Sequence, residues 1–227
     1  MLKEYDPKLN GFSFSNREYT TVFKGKCRRP SVDEVNIDRS CLLGRLLRFF
    51  IRLLVPIIYS RIHGYGHCQG MCLASKYLYE HPDKVPNNRD VAYRLTLTEA
   101  YDVIEYWTNK VLLDPSYWIT GLKLFLKIIS VRKEVLKAMR IIGRGEPVPL
   151  FLRDPFKWNI LRDTGCHLVL AYSYRNTGKY IVFRAYDPNF PGRSIAIIVD
   201  RDNWHVRVPA YNGIYNFMLV STYIHGT

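Results

Sequence analysis

No run of apolar residues in this 227-residue chain is long enough to cross a bilayer. The most apolar stretch, CLLGRLLRFFIRLLVPIIYS at 41–60, is interrupted by Arg45, Arg48 and Arg52. Its longest uncharged run, Leu53 to Ser60, falls far short of the roughly 20 residues a span needs. No secretory signal is expected either, because MLKEYDPKLN is charged from its third residue. Cysteine is sparse and odd in number: Cys27, Cys41, Cys68, Cys72 and Cys166, at irregular spacings. That argues against a disulfide framework and for a reducing compartment. A cytoplasmic protein is therefore expected, with peripheral membrane contact as the remaining route to a bilayer. Internal repeats and low-complexity tracts are missing, and glutamine is nearly absent. Acidic residues are the minority, 20 against 33 Lys and Arg, for a net charge of +13.

Such an excess favours polyanions, either nucleic acid or acidic lipid. Its distribution does not. Residues 1–60 carry eleven positive and six negative charges, and the remainder twenty-two and fourteen. Arg28-Arg29 and Arg132-Lys133 are the adjacent basic pairs. Nucleic acid is thus not expected as the main partner, and weak binding to an anionic surface is the most the charge implies. A hydrophobic content of 48% with 17 tyrosines excludes a mainly disordered chain and supplies a real core.

Punctuation and periodicity give the coarse layout. Residues 1–35 show no sustained period. Residues 41–56 read as a basic amphipathic helix, kinked or ended by Pro56, with its arginine face exposed and its leucine face packed. Residues 1–60 together are expected as an N-terminal extension of a single domain. A helix is predicted from Cys68 to Glu80, ended by His81-Pro82, and another from a Thr98 cap to about Lys110. A third pattern spans 117–142, with Leu122, Phe125, Ile129, Leu136 and Met139 along one side. Beyond Gly145 the character changes to strands: 147–152, 167–174, 179–187, 194–200, 205–209 and 217–224. The second and third are joined by the hairpin turn Arg175-Asn176-Thr177-Gly178. Helices first and an antiparallel sheet second is an α+β layout.

Three residues carry chemistry. Cys68 follows a Gly-rich turn and opens a helix, whose partial positive charge favours the thiolate. Unpaired N–H groups in that first turn can stabilise an oxyanion, and Gly66 and Gly70 are expected to leave room for a substrate carbonyl. Cys72, one turn on, reads as a core residue. His167 begins the first hairpin strand and Asp187 ends the second. With the turn centred near 177, paired numbers add to about 354, which sets Asp187 directly across from His167 at about 5 Å between Cβ atoms. A slip of one would place them on opposite faces. In that register Asp187 fixes the imidazole tautomer and His167 takes the proton of Cys68.

The order Cys at a helix start, His on a strand, then Asp resembles papain-like cysteine peptidases. It is most similar to the bacteriocin-processing branch and its prokaryotic relatives. Their G-x-C-x-G-M segment is matched by Gly66-His67-Cys68-Gln69-Gly70-Met71, and their G-x-P-V strand by Gly145-Glu146-Pro147-Val148. His167 to Ala171-Tyr172 matches their His strand. Tyr186-Asp187-Pro188-Asn189-Phe190-Pro191-Gly192 matches their Y-D-P-N-x-P-G. The likeness covers roughly residues 63 to 200. It implies a papain-like fold and a Cys68–His167–Asp187 triad that cleaves or transfers an acyl group from a peptide or amide through a thioester, without a cofactor. Asn189 is the weaker alternative for the third residue.

Papain-type enzymes place a glutamine six residues before the nucleophile to complete the oxyanion hole. Ile62 stands there in this chain, and Gln69, His63 and His67 are the alternatives. A zinc reading of His63, His67, Cys68 and Cys72, at i, i+4 spacings, is opposed by Gly64 and Gly66, which interrupt the helix it requires. Two other function classes stay open: a catalytically silent papain-like binding module, and a basic membrane- or nucleic-acid-associated protein with a structural Cys/His pair.

Overall fold

The computed structural model describes residues 4–23, 67–114, 130–153, 166–211, 213–215 and 217–220, together with Phe49 and Leu53. The helices are α1 (Pro7–Asn10), α2 (Asn16–Phe23), α3 (Cys68–Glu80), α4 (Leu97–Leu113) and α5 (Val131–Ile142). The strands are β1 (Val148–Arg153), β2 (Cys166–Asn176), β3 (Tyr180–Tyr186), β4 (Ser194–Asp200), β5 (Val206–Val208), β6 (Gly213–Tyr215) and β7 (Phe217–Val220). The chain is α+β, with the helices preceding the sheet.

All strand pairs are antiparallel. The order β6-β5-β4-β3-β2-β1-β7 is a meander from β1 to β6 whose last strand returns to the far edge beside β1. Strand β4, SIAIIVD, shows why these segments are strands: Ile195, Ile197 and Val199 are buried while their neighbours are not, a period of two with one face inward. Helix α5 covers that face. Val135, Ala138 and Ile142 pack on Val148, Leu150, Val169, Ala171, Phe183 and Ile197. Leu168, Leu170 and Tyr186 belong to a separate cluster with Cys72 and Tyr5, which seats α3 on the sheet. A third cluster joins α3 to α4 through Met71, Ala74, Leu78, Ala100 and Ile104.

Several expectations shift by a few residues, each for a local reason. Helix α4 is capped by Thr96 rather than Thr98. The Thr96 side chain accepts from the Glu99 N–H while Glu99 reaches back to the Thr96 N–H, a reciprocal capping box. Ser130 caps α5 and starts a fresh helix at Val131. Its buried stripe is Val135, Ala138 and Ile142, and Leu136 is exposed. Leu122, Phe125 and Ile129 lie outside the described residues.

The N-terminal region departs further from expectation. Residues 4–23 are built into the core rather than appended to it, with Phe12 and Tyr19 fully buried beside α3 and α4. Most of the basic stretch at 41–56 lies outside the described residues. Its two described members, Phe49 and Leu53, are helical and more than half exposed, at 62% and 55%, rather than packed as expected. Among the described residues no helix is long and apolar enough to cross a membrane.

Candidate active site

Cys68 is the first residue of α3 and is partly buried. The preceding residue, His67, gives the helix no side-chain cap, so nothing from the cap competes for the N–H groups of the first turn. The His67 ring is fully buried and turned inward. Its Nδ1 lies 3.3 Å from Thr20 Oγ1 and its Nε2 3.4 Å from Glu105 Oε1, with Tyr19 edge-on at 4.9 Å. His67 is thereby spoken for as an oxyanion donor. Ile62 and His63 lie outside the described residues. Gln69 remains, and its Nε2 is buried without a hydrogen-bond partner.

Cys72 behaves as a core thiol. It is fully buried and donates to the Leu168 carbonyl at 3.3 Å. Burial, then Cys68 and Asp187 nearby, push its thiol well above the usual range. Of the zinc reading's side chains, His63 lies outside the described residues, and His67 and Cys72 diverge: His67 faces Glu105 and Thr20, and Cys72 faces β2. Among the described residues no three His, Cys, Asp or Glu side chains are grouped to hold a metal ion.

Gly70 has a different task from the one its sequence position suggests. A Cβ there would lie 1.9 Å from Thr108 Oγ1 and 2.6 Å from the Ile104 carbonyl. It lets α3 close onto α4, and the room it provides is filled by that helix rather than by substrate.

Asp187 and His167 do meet. Asp187 Oδ1 lies 2.8 Å from His167 Nε2, with Asp187 fully buried and the His167 side chain 12% exposed. The route differs from the expected cross-strand pair. Paired numbers in the β2–β3 hairpin add to 357 near the turn, as in Ser173 with Arg184, and to 356 further in, as in Leu170 with Tyr186. A bulge between Ala171 and Ser173 absorbs the difference. The bulge matters, because an odd sum would place residues 167 and 187 on opposite faces and an even one restores a shared face. Strand β3 ends at Tyr186, and His167 pairs with Leu152 of β1 instead. Asp187 reaches the imidazole from the turn that follows β3.

That turn is held by Asp187 itself. The Phe190 N–H donates to the Asp187 carbonyl at 2.9 Å, and the Asn189 N–H donates to Asp187 Oδ1 at 2.8 Å, an Asx turn led by Pro188. Gly192 closes the loop at φ +64°, where a Cβ would meet the Tyr93 hydroxyl at 2.8 Å. Asn189, the alternative third residue, does not stand against the imidazole. Its side-chain Nδ2 donates to the Tyr211 hydroxyl at 2.9 Å.

Tyr211 is the member of the cluster that sequence reasoning missed. Its hydroxyl donates to Asp187 Oδ2 at 2.6 Å and lies 3.2 Å from His167 Nε2. It stands on a 3₁₀ turn, Pro209–Tyr211, after β5, one of 17 tyrosines with no motif to distinguish it.

Electrostatics couple the cluster. Burial alone would lower the His167 pKa. The Asp187 charge and hydrogen bond, followed by a hydrogen bond and charge from Cys68, outweigh it and raise the group to about 10. Cys68 is thus near enough to the imidazole to couple to its charge. Since Nε2 faces Asp187 and Tyr211, Nδ1 is the nitrogen left for the thiol. A buried carboxylate is costly unless paired, and the donors from His167, Asn189 and Tyr211 meet that requirement.

Asn16 links the two halves of the site. Its backbone N–H donates to the Pro188 carbonyl at 2.8 Å, beside Asp187, and its Oδ1 accepts from the His67 N–H at 2.6 Å, beside Cys68. Compared with protein-family models, curated proteins and solved structures, the chain matches none. The resemblance to papain-like peptidases thus rests on the four sequence motifs.

Proposed function

We propose that the protein is a papain-like thiol hydrolase or acyl-transfer enzyme acting on a peptide or amide substrate. The observation that carries this reading is the buried Asp187 carboxylate 2.8 Å from His167, whose charge state is in turn coupled to Cys68. The Cys68 thiolate attacks the substrate carbonyl, forming a C–S bond while the carbonyl electrons move to oxygen. First-turn N–H groups of α3 receive that oxyanion, with the unspent Gln69 Nε2 as a side-chain candidate. His167 gives its Nδ1 proton to the leaving nitrogen as the C–N bond breaks. A thioester on Cys68 results. Water then attacks it, passing a proton to His167, and the C–S bond breaks to release the acid and restore the thiolate beside the imidazolium. The Asp187 carboxylate, paired with Nε2, steadies the imidazolium.

The test is acylation by an activated ester, p-nitrophenyl acetate, followed by intact mass and peptide mapping. One acetyl group on Cys68 is expected in the wild type, with none there in Cys68→Ala and slow transfer in His167→Ala. Acetylation spread over lysines with Cys68 untouched would rule the reading out.

A further inference from the structure

The Tyr211 hydroxyl stands where the groups behind Cys68 meet, and the chemistry above does not use it. We infer that Tyr211 is a positioning residue for His167: its hydroxyl fixes the Asp187 carboxylate and keeps hydrogen on Nε2, so that Nδ1 is the nitrogen that exchanges a proton with Cys68. This role rests on the thiol-hydrolase reading.

The argument follows one proton. At 2.6 Å from Asp187 Oδ2, the Tyr211 oxygen is at the separation of an O–H···O⁻ bond, so its hydrogen goes to the carboxylate. Toward His167 Nε2, 3.2 Å away, the same oxygen can then only accept. Nε2 must therefore carry hydrogen, which it also directs at Asp187 Oδ1, 2.8 Å away. A neutral ring protonated on Nε2 has its lone pair on Nδ1. Asn189 completes the arrangement from two sides. Its Nδ2 donates into the Tyr211 oxygen at 2.9 Å, and its backbone N–H holds Asp187 Oδ1 at 2.8 Å. The Tyr211 ring stands edge-on to the imidazole, centroids 5.6 Å apart at 72°, and Phe190 backs it at 5.5 Å. Asp187 alone would leave its second oxygen without this anchor.

A double-mutant cycle on the full-length chain tests the role, using the rate of Cys68 alkylation by iodoacetamide at pH 7. Tyr211→Phe keeps the ring and removes the hydroxyl. In the wild-type background it is expected to slow alkylation about tenfold, the loss of one hydrogen bond to a charged group. In an Asp187→Ala background it is expected to change nothing further, because Tyr211 acts through Asp187. Equal slowing in both backgrounds, or none in either, overturns the assignment. His167→Ala separates the two levels. Should it alkylate as fast as the wild type, the Cys–His reading and the positioning role fall together. Should it be slow while Tyr211→Phe matches the wild type, only the Tyr211 role falls. If Tyr211→Phe does not fold, the ¹⁵N-histidine spectrum of Cys68→Ala decides. The neutral His167 ring is expected to keep its proton on Nε2, and a proton retained on Nδ1 overturns the inference.

Discussion

His167 carries a pH signature of its own. Its folded pKa of about 10 lies above the ordinary value of 6.5, so the folded protein binds a proton that the unfolded chain releases. The resulting stabilisation is fully present below about pH 6.5, declines as pH rises toward 10 and is gone above it. Denaturant titrations between about pH 6 and 7.5, below the ordinary thiol and phenol ranges, are expected to show falling stability in the wild type. In His167→Gln that slope should flatten, and an unchanged slope would show that the imidazole is not held as a cation. Asp187→Asn addresses the partner. It removes the charge that steadies the imidazolium and turns an NH₂ group toward one of the three donors that Asp187 now accepts. Turnover on any true substrate should fall by about a hundredfold or more, measured against a stability loss of about 1–3 kcal/mol. Asn189→Ala, which frees the Tyr211 oxygen of one donor, should cost less on both measures.

The elements hold these residues through close approaches that admit little change. Gly70→Ala would drive a methyl group into Thr108 and the Ile104 carbonyl. Overpacking of this kind costs about 1–3 kcal/mol or more, and here it also tilts the helix that bears Cys68. Chemical denaturation should show that loss together with slower acylation of Cys68. The helix start, the strand pattern and the order of Cys, His and Asp were legible because each is local: a Gly-rich turn before Cys68, alternation in β4, a Gly-containing hairpin turn. The β2–β3 register was not. Nothing in HLVLAYSY marks Tyr172 as the extra residue of a bulge. The expected sum of 354 and the observed 356 put His167 and Asp187 on a shared face only because they differ by an even number. Tyr211 was equally illegible, since it joins the site through three-dimensional folding from 44 residues beyond His167.

At the scale of the whole molecule, Cys68 stands on a helical layer and His167 on a sheet, so the proposed site depends on how firmly the two are joined. Residues 4–23 reinforce the direct packing of α3 on β2. Tyr5 bonds to Ser75 of α3 at 2.5 Å, the Phe12 N–H donates to the Tyr186 hydroxyl at 3.3 Å, and Asn16 spans from His67 to Pro188. A segment without periodicity in sequence is therefore part of the frame that holds Cys68 and His167. Its short helices and single buried aromatics are too brief to show a period. Asn16→Ala leaves the buried His67 N–H without its partner, at a cost of about 1–3 kcal/mol. Cys68 acylation in that variant should fall by more than the fraction unfolded accounts for. A loss equal to the unfolded fraction would make Asn16 a packing residue only.

The central claim, that Cys68 and His167 act as one unit, is tested most directly by the pH profile of iodoacetamide alkylation, resolved by peptide mapping with Cys72 as the internal reference. The account predicts that at pH 7 Cys68 reacts at least about tenfold faster than the buried Cys72, and that His167→Ala abolishes its advantage at neutral and acid pH. Equal rates at the two cysteines, or a Cys68 profile unchanged by His167→Ala, would contradict it.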